Sequence, residues 1–147
     1  MNIKTVNYNN PNFIKLCSLL EEEHVNVIKE QRSPKGNCLN NLDKFKVVFI
    51  AYDNNKAIGC VALKDKVNNT IELGRLYVMP EYRKKGVATL LFNYVFNYSK
   101  EKGCKRIILD TYRRFESAVS LYKRLGFTEI DNYIIDSPYS MCMEKVL

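Results

Sequence analysis

The sequence predicts an α/β (α+β) fold, a mixed central sheet of about six or seven strands with helices packed on it. Three observations predict it. Apolar, β-prone runs at residues 47–52, 57–63 and 71–79 are separated only by short polar turns, so they read as successive antiparallel strands. A helix-period segment over residues 87–98 then leads into another β-prone run at 105–110, and such a crossover makes the two strands that it joins parallel. Apolar residues three and four apart recur at Phe13, Leu16, Cys17 and Leu20, and at Ala118, Leu121, Tyr122 and Leu125, marking flanking helices.

Taken in order, residues 3–8 alternate loosely and serve as a first strand. Pro11 opens a helix, because a first-turn residue does not need the N–H that proline lacks. Glu21, Glu22 and Glu23 stand beyond its apolar face, and Val25 and Ile28 suggest a second short helix. Residues 33–37 (SPKGN) have loop composition and are either a surface loop or a lid over a substrate. Asp53, Asn54, Asn55 and Lys56 are turn residues that make 47–52 and 57–63 a β-hairpin. Pro80 stops the strand 71–79, since it cannot donate to a ladder. Val87, Ala88, Leu91, Tyr94, Val95 and Tyr98 keep helical spacing, and Gly103 ends that helix behind Lys100 and Lys102. Gly126 ends the next helix, and residues 127–130 and 139–146 are the last candidate strands, around a loop with Pro138.

The 147 residues are read as one domain, 1–147, large enough for a real core. The ordinary apolar and charged content excludes a disordered chain, and no apolar run is long enough to span a membrane. The first ten residues lack the apolar stretch of a signal peptide. Five scattered cysteines without a C-x-x-C pair predict reduced thiols, no metal site and a cytoplasmic location. The lone histidine, His24, makes a Cys–His catalyst a poor prospect. A net charge of +7 admits any polyphosphate ligand, but no nucleic-acid-binding module is present.

The stretch 71–88 (IELGRLYVMPEYRKKGVA) carries the functional pattern. A strand leads through Arg83, Lys84, Lys85 and Gly86 into a helix N-terminus, where free N–H groups and the positive end of the helix dipole favour phosphate. The alternative is a solvated basic turn. Neither G-x-x-x-x-G-K-[ST] nor G-x-G-x-x-G occurs. Arg83-x-x-Gly86-x-Ala88 resembles the acetyl-CoA loop of the GNAT superfamily of N-acetyltransferases, [RQ]-x-x-G-x-[GA]. Downstream, Ala118-x-x-Leu121-Tyr122-x-x-x-Gly126-Phe127 resembles a second GNAT motif, in the right order on a β-α-β-α-β half. The resemblance extends to a bacterial small-molecule-type subgroup with E-x-x-R-[LM]-Y-V in the central strand. That subgroup's tail is met here at Asn132, Tyr133, Ser140, Cys142, Met143 and Lys145.

The resemblance implies a GNAT fold, with helices on both sheet faces and a splayed central parallel pair that holds acetyl-CoA as co-substrate. Leu76, Tyr77 and Val78 would lie along the pantetheine, with the Val78 amide donating to the thioester carbonyl. Arg83, Lys84, Lys85, Gly86, Val87, Ala88 and Thr89 would cradle the pyrophosphate. Tyr122 matches the family tyrosine that protonates the departing thiolate, or is an ordinary half-buried helix tyrosine. Glu72 matches the proposed base for the substrate amine, or is the ion-pair partner of Arg75. Relatives carry Asn or Gln where this chain has Phe115, which removes an amide's hydrogen bonds and leaves Arg113 or Arg114 to reach the 3′-phosphate. The implied reaction is acetyl transfer to a primary amine by direct attack in a ternary complex, without a metal. The acceptor is read as a small-molecule amine, with no nucleic-acid or membrane partner and a homodimer left open. A non-catalytic CoA-binding sensor or interaction module is the alternative, and the presence of Tyr122 and Glu72 favours the enzyme.

Overall fold

The computed structural model describes residues 1–32, 36–133 and 138–147. The fold is the predicted one, a single seven-stranded mixed sheet in the order β1-β2-β3-β4-β5-β7-β6. The strands are β1 (Asn2–Val6), β2 (Phe45–Asp53), β3 (Lys56–Lys64), β4 (Thr70–Val78), β5 (Arg106–Tyr112), β6 (Thr128–Ile130) and β7 (Ser140–Val146). All neighbours are antiparallel except β4 and β5, which the crossover helix makes parallel. The helices are α1 (Pro11–Ile28), α2 (Val87–Glu101) and α3 (Glu116–Arg124).

α1 lies on one face of the sheet and packs Phe13, Leu16, Cys17 and Leu20 against Val48, Ile50, Cys60, Ala62 and Tyr77. α2 and α3 cover the other face, where Leu91, Phe92, Val95 and Tyr122 meet Phe49, Val61, Leu63, Ile71, Ile107 and Met143. One expected break is absent. Residues 11–28 form one continuous helix rather than two, because no proline or glycine interrupts them and the three glutamates are good helix formers. Asn10 caps it, its side-chain carbonyl accepting from the amides of Asn12 (2.9 Å) and Phe13 (3.4 Å). The expected loop at 33–37 falls largely on residues 33–35, outside the described residues.

Candidate active site

The parallel pair opens in the middle of the sheet. β4 and β5 are in register at Thr70–Arg106, Ile71–Ile107 and Glu72–Ile108, and there the pairing ends. Beyond that point β4 stays paired with β3 and β5 stays paired with β7 up to Tyr112 and Ser140, so the two halves of the sheet diverge. β4 also bulges: Ala62 faces Gly74 while Cys60 faces Tyr77, one residue more on β4 than on β3. The extra residue sits at Arg75, whose φ of 58° is left-handed, and a bulge of this kind bends its strand. Arg75 and Gly74 consequently both turn to the α1 face, where Gly74 meets the Phe45 ring and the Arg75 guanidinium stands over it.

The bulge also aims Val78. The Met79 amide donates to the Ile58 carbonyl at 2.9 Å. In an antiparallel ladder such bonding alternates, so the intervening Val78 turns its N–H and carbonyl away from β3, towards the opening. The Val78 carbonyl there accepts from Arg83 Nε at 2.8 Å. Leu76 packs towards α2 and Tyr77 is buried beneath α1, so only their backbone lies along the opening.

At the end of this slot stands the N-terminus of α2. Lys84 (φ 62°) and Gly86 (φ 83°) are both left-handed, which folds the chain back over the helix start. The first helix-closing bond is Leu90 N to Gly86 O, so the amides of Val87, Ala88 and Thr89 are left over, with no capping side chain and no acidic residue in the first turn. A Cβ on Gly86 would meet nothing within 4 Å, so the approach to these amides is open. Lys84 and Lys85 are exposed beside it, whereas the Arg83 guanidinium turns back to Glu23 (2.5 Å) and stacks on the Tyr77 ring. Of the three expected phosphate cations, the structure leaves two facing outward.

Tyr122 enters from the α3 side, 5% exposed, with its ring edge-on to Phe92 and Phe127. Burial, and secondarily the Asp110 carboxylate, push its phenol well above the usual range, so it stays protonated. Glu72 lies on the opposite face. Its partner is not the expected Arg75 but Lys64, at 2.7 Å, while Arg75 donates to the carbonyls of Cys38 (2.9 Å) and Asn40 (3.2 Å). Arg75 thus ties the 38–40 segment to the bulge.

Two residues to which sequence reasoning assigned no role, Asp110 and Tyr133, also bear on this site. Asp110 stands two residues past the last β4–β5 pair, on the same face as Glu72 by strand alternation. Its carboxyl is open to solvent at the surface but walled by protein below. Desolvation, then the nearby Glu72 charge, raise its pKa above the usual carboxylate value. Among the described residues the buried Tyr133 hydroxyl has no hydrogen-bond partner, and burial followed by the charges of Glu72 and Asp110 drives its pKa upward. The signal that was available for Asp110 was a carboxylate inside an otherwise apolar strand.

The wall above is built by α1. Glu21 accepts from Arg32 and from the Cys38 amide (2.9 Å), Glu23 holds Arg83, and only Glu22 is left on the exposed side. His24 sits 3.6 Å from Cys38 Sγ and packs against Tyr112 and Phe115. Burial lowers the histidine to a pKa of about 4 and raises the Cys38 thiol to about 12, so at neutral pH both are neutral and the pair is packing rather than a nucleophile. Phe115, in place of an amide, is the third ring of this cluster. Arg114 donates to the carbonyls of Val27 and Ile28 at the end of α1, and Arg113 pairs with Glu129, so both expected phosphate contacts are engaged elsewhere.

Comparison with known proteins places this arrangement. A model of the Acetyltransferase (GNAT) family matches residues 13–127. N-alpha-acetyltransferase 30 of Schizosaccharomyces pombe is 37% identical over 83 residues, covering 54% of this chain and 55% of that protein. An uncharacterized N-acetyltransferase of the same yeast is 30% identical over 116 residues, covering 78% of this chain and 65% of its own length. The matches thus span between half and two thirds of the length of these curated relatives. The crystal structure of the PaiA N-acetyltransferase from Thermoplasma acidophilum in complex with coenzyme A superposes with a TM-score of 0.75 at 22% identity, covering all of both chains. With its matched family model, its splayed β4–β5 pair and its basic turn into α2, the chain belongs to the GNAT family of acetyltransferases.

Proposed function

We propose that this chain is one N-acetyltransferase domain, spanning 1–147, that moves an acetyl group from acetyl-CoA to a primary amine by direct attack in a ternary complex. The observation that carries the reading is the loss of β4–β5 pairing after Glu72 and Ile108, which leaves a slot through the sheet between the two helical faces. One end of that slot reaches the free amides of α2, and two outward lysines flank them. The pyrophosphate would rest there on the backbone of residues 83–89, and the pantetheine would run along Leu76, Tyr77 and Val78.

Acetyl-CoA supplies an activated acetyl thioester. The Val78 N–H, turned towards the opening, stabilises the negative charge that develops on the thioester oxygen. Tyr122, held protonated by burial, supplies the proton that the sulfur needs on departure. The acceptor side is bounded by Glu72, Asp110 and Tyr133, negative groups and a hydroxyl suited to an ammonium. A relative named an N-alpha-acetyltransferase and a structural neighbour named nourseothricin acetyltransferase keep more than one kind of amine in view, and we favour a small-molecule amine. Five free, buried thiols fit a reducing, cytoplasmic setting.

The test is calorimetric titration with acetyl-CoA of the wild type and of Gly86→Asp, followed by thiol-release assays over a panel of amines. Saturable binding lost in Gly86→Asp supports the reading. A folded wild type that does not bind millimolar acetyl-CoA refutes it.

A further inference from the structure

We infer that Arg75 is a positioning residue for the acceptor, because it anchors a bridge that α1 and the 36–40 segment make across the parted strands. This rests on the acetyl-transfer reading above and deepens it on the acceptor side.

The bridge is a continuous run of contacts from β4 to β5. Past Glu72, the last paired residue of β4, Arg75 donates from Nε to the Cys38 carbonyl (2.9 Å) and from Nη2 to the Asn40 carbonyl (3.2 Å). Cys38 is buried and held from two further directions. Its amide donates to Glu21 at 2.9 Å, and its Sγ lies 3.6 Å from His24 Nδ1, about one turn further along α1. Arg32 extends the same hold, bonding both Glu21 and the Gly36 carbonyl (2.8 Å). His24 then packs on the rings of Tyr112 and Phe115, with centroids 5.8 and 5.0 Å away, past Ile108, the last β5 residue paired with β4. Arg114, in the same turn, donates to the carbonyls of Val27 and Ile28 at the end of α1. Two strands that bond each other only as far as Glu72 and Ile108 are thus joined again through α1. The bridge lies on the face that carries Glu72, opposite Tyr122, where the acceptor would approach.

Arg75 is the β4 end of this bridge. Its φ of 58° is left-handed, a conformation that glycine and asparagine adopt at least cost. What arginine brings there is a planar fork of donors, long enough to reach two carbonyls while its face rests 5.2 Å from the Phe45 ring centre. The Arg75 carbonyl accepts from Cys60 Sγ at 3.3 Å, so the bulge is itself fastened to β3 and serves as a fixed post. The contacts assigned to acetyl-CoA lie elsewhere, along the backbone of Leu76, Tyr77 and Val78 and on the free amides of α2. Releasing Cys38 from Arg75 therefore shifts the acceptor wall and leaves the cofactor's seat in place. The loss falls on acceptor binding.

The experiment compares wild type with Arg75→Asn, Arg75→Lys, Glu21→Ala and the double variant Arg75→Asn with Glu21→Ala. Acetyl-CoA affinity is read by titration calorimetry. KM and kcat are read by thiol release with benzylamine, putrescine and alanine amide, well below the lowest thermal midpoint of the set. For Arg75→Asn, whose backbone suits the bulge, we expect the acceptor KM to rise roughly tenfold, with kcat within about twofold and acetyl-CoA affinity unchanged. Arg75→Lys, which keeps a cationic donor near the two carbonyls, recovers part of the KM. Glu21→Ala raises the same KM, and the double variant raises it by less than the product of the single effects, because both changes release Cys38. If Arg75→Asn does not fold, Arg75→Gly takes its place, since glycine also suits the left-handed region. An active wild type whose Arg75 variants keep the acceptor KM, or lose acetyl-CoA affinity equally, overturns this inference and leaves acetyl transfer standing. A wild type that binds acetyl-CoA but acetylates none of the three amines overturns both.

Discussion

Lys64 and Glu72 lie 2.7 Å apart across the neighbouring strands β3 and β4, so the carboxylate nearest the parting of the sheet is already neutralised from behind. Both side chains keep roughly a quarter to a third of their exposure, and pairs of this kind contribute at most about 1 kcal/mol. Lys64→Met should therefore cost little in urea unfolding. Its clearer effect is on Asp110, whose pKa Lys64 helps to lower. Removing the ammonium should raise the Asp110 pKa further, read as the carboxyl carbon shift in an NMR titration. A pKa that moves down instead contradicts the placement of these charges.

Tyr122→Phe removes one hydroxyl from a ring packed against Phe92 and Phe127. We expect kcat to drop by about two orders of magnitude, while thermal midpoint and acetyl-CoA affinity hardly change. Because burial keeps the phenol protonated well past neutrality, the wild type should show no basic limb from it at pH 7–9. Full activity in the variant would assign the ring to packing.

The three cations of the loop should separate. Lys84 and Lys85 face outward, so Lys84→Gln with Lys85→Gln is expected to weaken acetyl-CoA binding roughly tenfold, a loss of about 1.4 kcal/mol, and to flatten its salt dependence. Arg83→Gln breaks the contacts to Glu23 and to the Val78 carbonyl. It should loosen α1 against β4 and lower the thermal midpoint with the smaller effect on affinity. Equal affinity losses in titration calorimetry would show that Arg83 turns outward to the ligand.

His24 links folding to pH. Its pKa is depressed from 6.5 to about 4, chiefly by burial, so the unfolded chain binds a proton in that interval that the folded chain refuses. The associated stability is complete above pH 6.5, declines as pH falls towards 4, and totals on the order of 3 kcal/mol. Urea unfolding at pH 7 and pH 5 should reveal the decline, and His24→Gln should remove most of it.

Much of this was readable from local pattern. The hairpin turn at Asp53–Lys56, the stop at Pro80 and the glycines at 86, 103 and 126 are decided by residues within a few positions of one another, and each appears where it was expected. α1 was read as two helices because its apolar stripe thins after Leu20; helix propensity carried the chain through the glutamates. Side-chain partnerships were less legible. The ion-pair alternative for Glu72 named Arg75 where the structure has Lys64, and the phosphate that the resemblance offered to Arg113 or Arg114 gives way to Glu129 and the α1 carbonyls, since which side chains meet depends on strand register and packing.

By itself the sequence determined the order of strands and helices, the parallel crossover, and the basic turn into α2, since periodicity, turn chemistry and helix termini act over a few residues. The tertiary structure decided where β4 and β5 part, which way Val78 faces, and which carboxylate is tied to a lysine and which stands open. Those follow from a bulge at Arg75 and from charges meeting across the sheet, and backbone register and electrostatics in a folded interior depend on residues far apart along the chain.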